Sequence, residues 1–141
     1  MGQRAKTGRC ALIITSLYAA LLTILFLVLS ARVITYRRSE KISLGDGEDP
    51  VLQRRTRAQA NCAEYAPFGI LMMAIAETLS ASPLVIHLMG GLLLVGRLMH
   101  AYGVGGPGMN MSWRVRGMIL TLTSLGIGAA VNLVSVALGT I

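Results

Sequence analysis

Ala11-Leu-Ile-Ile-Thr-Ser-Leu-Tyr-Ala-Ala-Leu-Leu-Thr-Ile-Leu-Phe-Leu-Val-Leu-Ser-Ala31 contains no Lys, Arg, Asp or Glu. A helix rises about 1.5 Å per residue, and a bilayer core about 30 Å thick takes roughly 20 apolar residues to cross. The stretch therefore has the length of a membrane-spanning helix. Two more charge-free runs, Thr78 to Gly96 and Gly117 to Ile141, are about as long. Lipid offers no partner to a bare peptide group, so a spanning segment satisfies its backbone within a helix or a closed barrel. The alternating, turn-punctuated segments of a barrel are absent, so the fold class is all-α.

Composition agrees with this reading. Of 141 residues, 54% are hydrophobic and only 13% charged, more apolar surface than a soluble domain of this size could bury. The expectation is one integral membrane domain over residues 1–141, with helices approximately at 10–36, 51–79, 83–102 and 113–139. Neither an internal repeat nor a low-complexity tract divides it.

The formal charge of +7 does not point to nucleic acid, because the charges are segregated by the membrane. Arg32, Arg37, Arg38, Lys41, Arg54, Arg55, Arg57, Arg97, Arg114 and Arg116 fall on one side, and only Arg4, Lys6 and Arg9 on the other. The positive-inside rule makes the richer side cytoplasmic, so both termini are external, facing the periplasm or its equivalent, and the expected location is the cell inner membrane. A cleaved signal peptide is the alternative for the first segment, but its apolar run is too long and lacks an A-x-A site. Cys10 falls near the outer end of the first helix and Cys62 near the inner end of the second, so no intrachain disulfide is expected between them.

The connections carry turn residues. Ser43-Leu-Gly-Asp-Gly-Glu-Asp-Pro50 is a polar loop, Ser80-Ala-Ser-Pro83 a tight turn, and Gly103-Val-Gly-Gly-Pro-Gly-Met-Asn110 a glycine-rich linker. The last lacks the Gly-Lys-Ser/Thr ending of a phosphate-binding loop.

The second helix decides the function. Its first three turns are polar, and Arg57, Asn61, Glu64 and Phe68 recur at intervals of four, three and four, stacking along one face beside Tyr65. An ionisable group at membrane depth costs several kcal/mol unless it faces a bundle interior or a wet cavity, so Glu64 is a candidate site residue. The plainer alternative is that Arg57 and Glu64 only compensate each other through Asn61. Pro67 removes a backbone donor and predicts a kink beside the stripe.

Arg57-Ala-Gln-Ala-Asn61-Cys-Ala-Glu64-Tyr65-Ala-Pro67 resembles the R-A-Q-x-N-x-x-E-Y/N-x-P signature of the MAPEG family, the membrane-associated proteins of eicosanoid and glutathione metabolism. Gly96-Arg97-Leu-Met-His100-Ala-Tyr102-Gly resembles that family's third-helix segment, and the four hydrophobic segments agree in number and order. The likeness covers nearly the whole chain and is nearer to the short bacterial branch than to the eukaryotic leukotriene and prostaglandin synthases. The resemblance implies a homotrimer that binds glutathione at each subunit interface near the cytoplasmic side. By position, Arg57, Asn61, Glu64 and Tyr65 would hold the tripeptide with Gln59 close by. The residue types suit it, since an Arg clamps a carboxylate and a Glu accepts from an ammonium.

Arg97 and His100 share a face of the third helix at the depth of the stripe, and could complete a cationic pocket. For Arg97 the alternative is a helix-end anchor whose side chain snorkels to the headgroups. His100 stands where the family often has Tyr, which leaves its ligand contact open. His87 reads as a core or interfacial His, no metal site is visible, and Glu77 lacks an obvious partner and is assigned no chemistry.

The family places its catalytic Arg at the start of the fourth helix, here Arg114, with Arg116 as the alternative. A free thiol with a pKa near 8.5 is only a few per cent thiolate at neutral pH, so a nearby guanidinium has work to do there. The expected activity is transfer of the glutathione thiol to, or reduction of, a hydrophobic electrophile or hydroperoxide arriving from the membrane lipids. One rival is a small four-helix transporter exchanging protons at Glu64, and another is a non-catalytic structural membrane protein. The transporter is disfavoured because its acid would sit among Arg57, Arg97 and Arg114, an arrangement suited to an anion.

Overall fold

The computed structural model describes residues 12–106 and 108–139, so Arg4, Lys6, Arg9, Cys10 and the expected first turn of helix 1 lie outside the described residues. Four helices follow one another: α1 (Ile13–Ser39), α2 (Pro50–Thr78), α3 (Pro83–Gly105) and α4 (Met111–Ala137). Each runs antiparallel to the one before it. Among the described residues α1 packs on α2 and α3 and does not reach α4.

The protein is an integral membrane four-helix bundle. α1, α3 and α4 are each long and apolar enough to cross a bilayer. α2 matches them in length but is polar over its first half, so that half needs protein or water around it. Large apolar side chains lie on the outside of the bundle, among them Ile24, Leu27, Leu84, Ile119 and Leu133. In water that surface would drive aggregation, and in lipid it is the solvated face. The core runs through Leu22, Leu29, Met73, Ile86, Met89 and Leu93.

Local chemistry sets the helix ends. Asp49 caps α2, its Oδ1 accepting from the N–H groups of Val51 at 2.7 Å and Leu52 at 2.9 Å, while Pro50 opens the first turn. The Tyr36 hydroxyl donates to the other Asp49 oxygen at 3.0 Å and ties the end of α1 to the start of α2. The Leu52 N–H foremost, with the Val51 N–H and the Tyr36 hydroxyl, holds the Asp49 carboxyl below the usual carboxylate range.

At the opposite end the first turn of α1 has no cap of its own. Glu77, from the last turn of α2, supplies one: its two oxygens accept from the N–H groups of Ile14 at 3.0 Å and Thr15 at 2.8 Å. The partner that the sequence did not reveal for Glu77 is thus a helix terminus. His87 takes the expected interfacial role, 3.2 Å through Nδ1 from the Tyr18 hydroxyl.

The bounds of three helices shift, the first being α1, which continues to Ser39 beyond the expected Tyr36. α3 continues to Gly105, beyond Tyr102, because its glycines are used for close packing inside the helix rather than as a linker. α4 starts at Met111, with Asn110 Oδ1 accepting from the Trp113 N–H at 3.2 Å, and ends at Ala137 because Gly139 turns to φ +64°. α2 runs unbroken through Pro67, and an apolar cleft of about 210 Å³ opens beside it, between α1 and α2.

Candidate functional site

α3 and α4 approach through glycines, and that approach positions the site. A Cβ on Gly117 would lie 2.5 Å from the His100 nitrogen and 2.6 Å from the Gly96 oxygen. One on Gly103 would lie 2.5 Å from the Arg114 nitrogen. The two backbones therefore touch at a depth only glycine allows, bringing the start of α4 against the last turns of α3.

Arg97 crosses this junction, only 1% exposed. Its Nε donates to Thr121 Oγ1 at 2.9 Å, and its Nη1 donates to Asn61 Oδ1 at 2.6 Å and to the Asn61 carbonyl at 3.3 Å. The guanidinium also lies 5.2 Å from the centre of the Tyr65 ring. One side chain on α3 thereby grips both α2 and α4. It does not snorkel. Asn61 is oriented by Arg97, because its amide oxygen is occupied and its NH2 is left as the donor.

Around this junction α2, α3 and α4 enclose a cavity of about 240 Å³. Arg57, Asn61 and Glu64 line it from α2, His100 from α3 and Arg114 from α4. Gln53, Arg54, Val104, Met109 and Met118 complete the wall. Glu64, Arg57, Arg54 and Arg114 make no ion pair or side-chain hydrogen bond among the described residues. Self-compensation of Arg57 and Glu64 through Asn61 is therefore not what the chain does, since Asn61 is engaged by Arg97. His100 is 5% exposed and likewise without a hydrogen bond among the described residues.

Three guanidinium groups and one carboxylate, all uncommitted, form a wall with excess positive charge. Such a wall suits a ligand with more than one anionic group and a cationic group for Glu64. The nearby low-dielectric helices strengthen those attractions relative to water.

Five of the residues expected at the site converge, and three others do not line the cavity. Tyr65 is half-buried over Arg97. Arg97 does not line the cavity itself and touches its wall from behind, at Asn61 and, through Nη2, at the Met118 sulfur 3.8 Å away. Gln59 faces α1, its Nε2 donating to Ser30 Oγ at 3.3 Å. Of the two arginines that open α4, Arg114 lines the cavity and Arg116 does not. Gln53 and Arg54 were missed, although Gln53, Arg57 and Asn61 are spaced by fours on one face of α2. The described residues hold no group of His, Cys, Asp and Glu that could bind a metal ion.

Known proteins resemble the chain along most of its length. The inner membrane protein YecN of Escherichia coli K12 is 34% identical over 120 residues, which cover 85% of this chain and 90% of that protein. YecN of the Escherichia coli strain CFT073 is similar to the same extent. Residues 15–134, from the first turn of α1 to the last turn of α4, match the MAPEG family over a stretch that includes every wall residue of the cavity, and the chain belongs to that family.

Proposed function

We propose that this protein binds glutathione in the cavity between α2, α3 and α4, ionises its thiol beside Arg114, and delivers the thiolate to a hydrophobic acceptor from the bilayer. The carrying observation is the convergence of Arg57, Asn61, Glu64, His100 and Arg114, from three helices, on one cavity with no ion pair inside it. Glutathione has two carboxylates and one ammonium, which match the arginines and Glu64 in sign and in excess. Arg97 and Tyr65 act behind the wall, holding Asn61 in place.

With an electrophile the thiolate forms a sulfur–carbon bond, and the electron pair passes to the leaving group or to a conjugated acceptor that then takes a proton. With a hydroperoxide the thiolate attacks the outer oxygen and the O–O bond breaks to release an alcohol. A second glutathione closes the cycle as the disulfide, with loss of water. The acceptor enters from lipid because the cavity lies beside membrane-facing helices.

The assembly is a homotrimer in this reading, as in the family the chain resembles. The uncovered face of α2 supports assembly, since Arg57, Glu64 and Phe68 are exposed on a single chain and polar groups there cannot face lipid. Gln59, on the α1 side of α2, is engaged by Ser30 and takes no part in this chain's own cavity. The basic residues around the cavity favour the cytoplasmic side, where glutathione is reduced and abundant, with both termini external.

The test is calorimetric titration of glutathione into the protein in nanodiscs. Wild type binds, while Glu64→Gln and Arg57→Ala each weaken binding about tenfold or more, the expected loss for a charge-assisted contact in apolar surroundings. Absence of binding at millimolar glutathione would reject the proposal.

A further inference from the structure

At the Arg-rich end of the bundle, a second cleft of about 330 Å³ opens between the ends of α1, α2 and α3. Its wall is Arg32 from α1, Val51, Arg54 and Arg55 from α2, and Gly105 and Gly106 where α3 finishes. The three arginines are half-buried, and no carboxylate lines the cleft. Among the described residues none of the three forms an ion pair.

Two of these cations, Arg32 and Arg55, are held in position from within the protein. Arg32 Nη2 donates to the Gly105 carbonyl at 2.6 Å, which holds the guanidinium over the end of α3. Arg55 Nη1 donates to the Arg32 carbonyl at 3.3 Å, and its guanidinium stacks 4.3 Å from the centre of the Tyr36 ring. Arg54 makes no hydrogen bond among the described residues. The acid acting on Arg54 is Asp49, whose oxygens already accept from Val51, Leu52 and Tyr36. Like charges gathered in a partly desolvated cleft repel one another, and each bond named here leaves further N–H donors on its guanidinium. The cleft thus gathers three cations with no acid in its own wall, the one carboxylate that acts on Arg54 being engaged as the cap of α2.

We infer that this cleft binds a phosphate-class anion, either a lipid headgroup or free phosphate, between Arg32, Arg54 and Arg55. A single carboxylate presents two oxygens in one plane and one negative charge. A phosphate presents oxygens in several directions, as three guanidinium groups arriving from different helix ends require, and inorganic phosphate carries more charge as well. The cleft sits at the helix ends where the basic clusters of α1 and α2 meet the headgroup layer, so phosphate oxygens are locally abundant. It is separate from the cavity between α2, α3 and α4, although Arg54 borders both.

Two arms test the inference without glutathione. In the first, inorganic phosphate is titrated into the protein in phosphatidylcholine nanodiscs by calorimetry. In the second, phosphatidylglycerol replaces part of that lipid, and native mass spectrometry counts the lipid that stays on each protomer against a phosphatidylcholine control. Saturable binding of one anion per protomer is expected in at least one arm. Binding in the first arm assigns free phosphate, and selective retention of phosphatidylglycerol in the second assigns the headgroup. Arg54→Gln and Arg55→Gln each weaken the binding about tenfold. Arg57→Gln, in the cavity but outside the cleft, leaves it unchanged, and unaltered helicity shows that each variant is folded. No selective binding in either arm overturns the inference, as does an Arg57→Gln effect equal to that of Arg54→Gln, which would put the anion in the cavity.

Discussion

Arg97 Nη1 donates to Asn61 Oδ1 across 2.6 Å, from the middle of α3 to the polar face of α2, with Arg97 as a whole only 1% exposed. The contact ties the family motif on α2 to the α3/α4 junction, because the same guanidinium also holds Thr121. Removing it as Arg97→Ala leaves Asn61 and Thr121 without their partner and opens a void. The expected cost is about 3 kcal/mol, as for other broken buried charge networks. Arg97→Lys does not recover it, since one ammonium cannot span both partners as a planar guanidinium does. Thermal unfolding in detergent reads the loss, and wild-type stability of Arg97→Lys would contradict the bridging role.

The α3/α4 junction makes a steric prediction with its own controls. Gly117→Ala places a methyl 2.5 Å from the His100 nitrogen and 2.6 Å from the Gly96 oxygen, backbone atoms that cannot rotate away. The helices must separate, so the variant should unfold at lower temperature and lose glutathione binding together. At Gly91 and Gly126 an added methyl would meet nothing within 4 Å. Gly91→Ala and Gly126→Ala are therefore neutral or stabilising by up to about 1 kcal/mol, the helix-propensity difference between the two residues. Equal behaviour of all three variants would show that propensity, not contact, governs.

Much of the fold was legible because lipid imposes one coarse rule. The charge-free runs from Ala11, Thr78 and Gly117 located α1, α3 and α4, and the four-three-four spacing of Arg57, Asn61, Glu64 and Phe68 set the face of α2 that carries the site. What escaped depends on which helices touch and how closely. The burial of Arg97 follows from Thr121 and Asn61 lying on two different helices beside it, and no spacing within α3 announces that. Gly103 carries the local signature of a linker, and only the backbone of Arg114 against it explains why the helix continues. Arg114 and Arg116 are equivalent by residue type and separate only once α4 is seated on α3.

Glu77 separates stability from ligand binding. Its carboxylate accepts from two N–H groups in the first turn of α1, far along α2 from the cavity. Glu77→Ala leaves both donors unpaired and should cost about 1 to 2 kcal/mol, in the range of a lost helix cap or an unsatisfied donor. Glutathione affinity should stay at the wild-type value. Glu77→Gln retains an acceptor oxygen and should lose less. A Glu77→Ala protein with wild-type stability would remove the cap from the account of the bundle.

The placement of Arg114 leads to the most specific chemical expectation. A free thiol near pKa 8.5 lowered by about two units requires roughly 2.7 kcal/mol, within reach of a guanidinium in a poorly solvated cavity. Arg114 lines that cavity and its backbone is locked against Gly103, whereas Arg116 lies outside the wall. Arg114→Ala should therefore abolish the ultraviolet thiolate band of bound glutathione while leaving much of the binding to Arg57, Asn61 and Glu64. Arg116→Ala should keep both the band and the affinity. The spectrum is recorded at saturating glutathione near neutral pH, with a pH titration of the same sample. Wild type shows thiolate below the free-thiol range, and the Arg114→Ala curve moves up toward the free value. If Arg116→Ala loses the band and Arg114→Ala keeps it, ionisation depends on a guanidinium outside this cavity, and the assignment of the thiol to the space between Asn61, His100 and Arg114 fails with it.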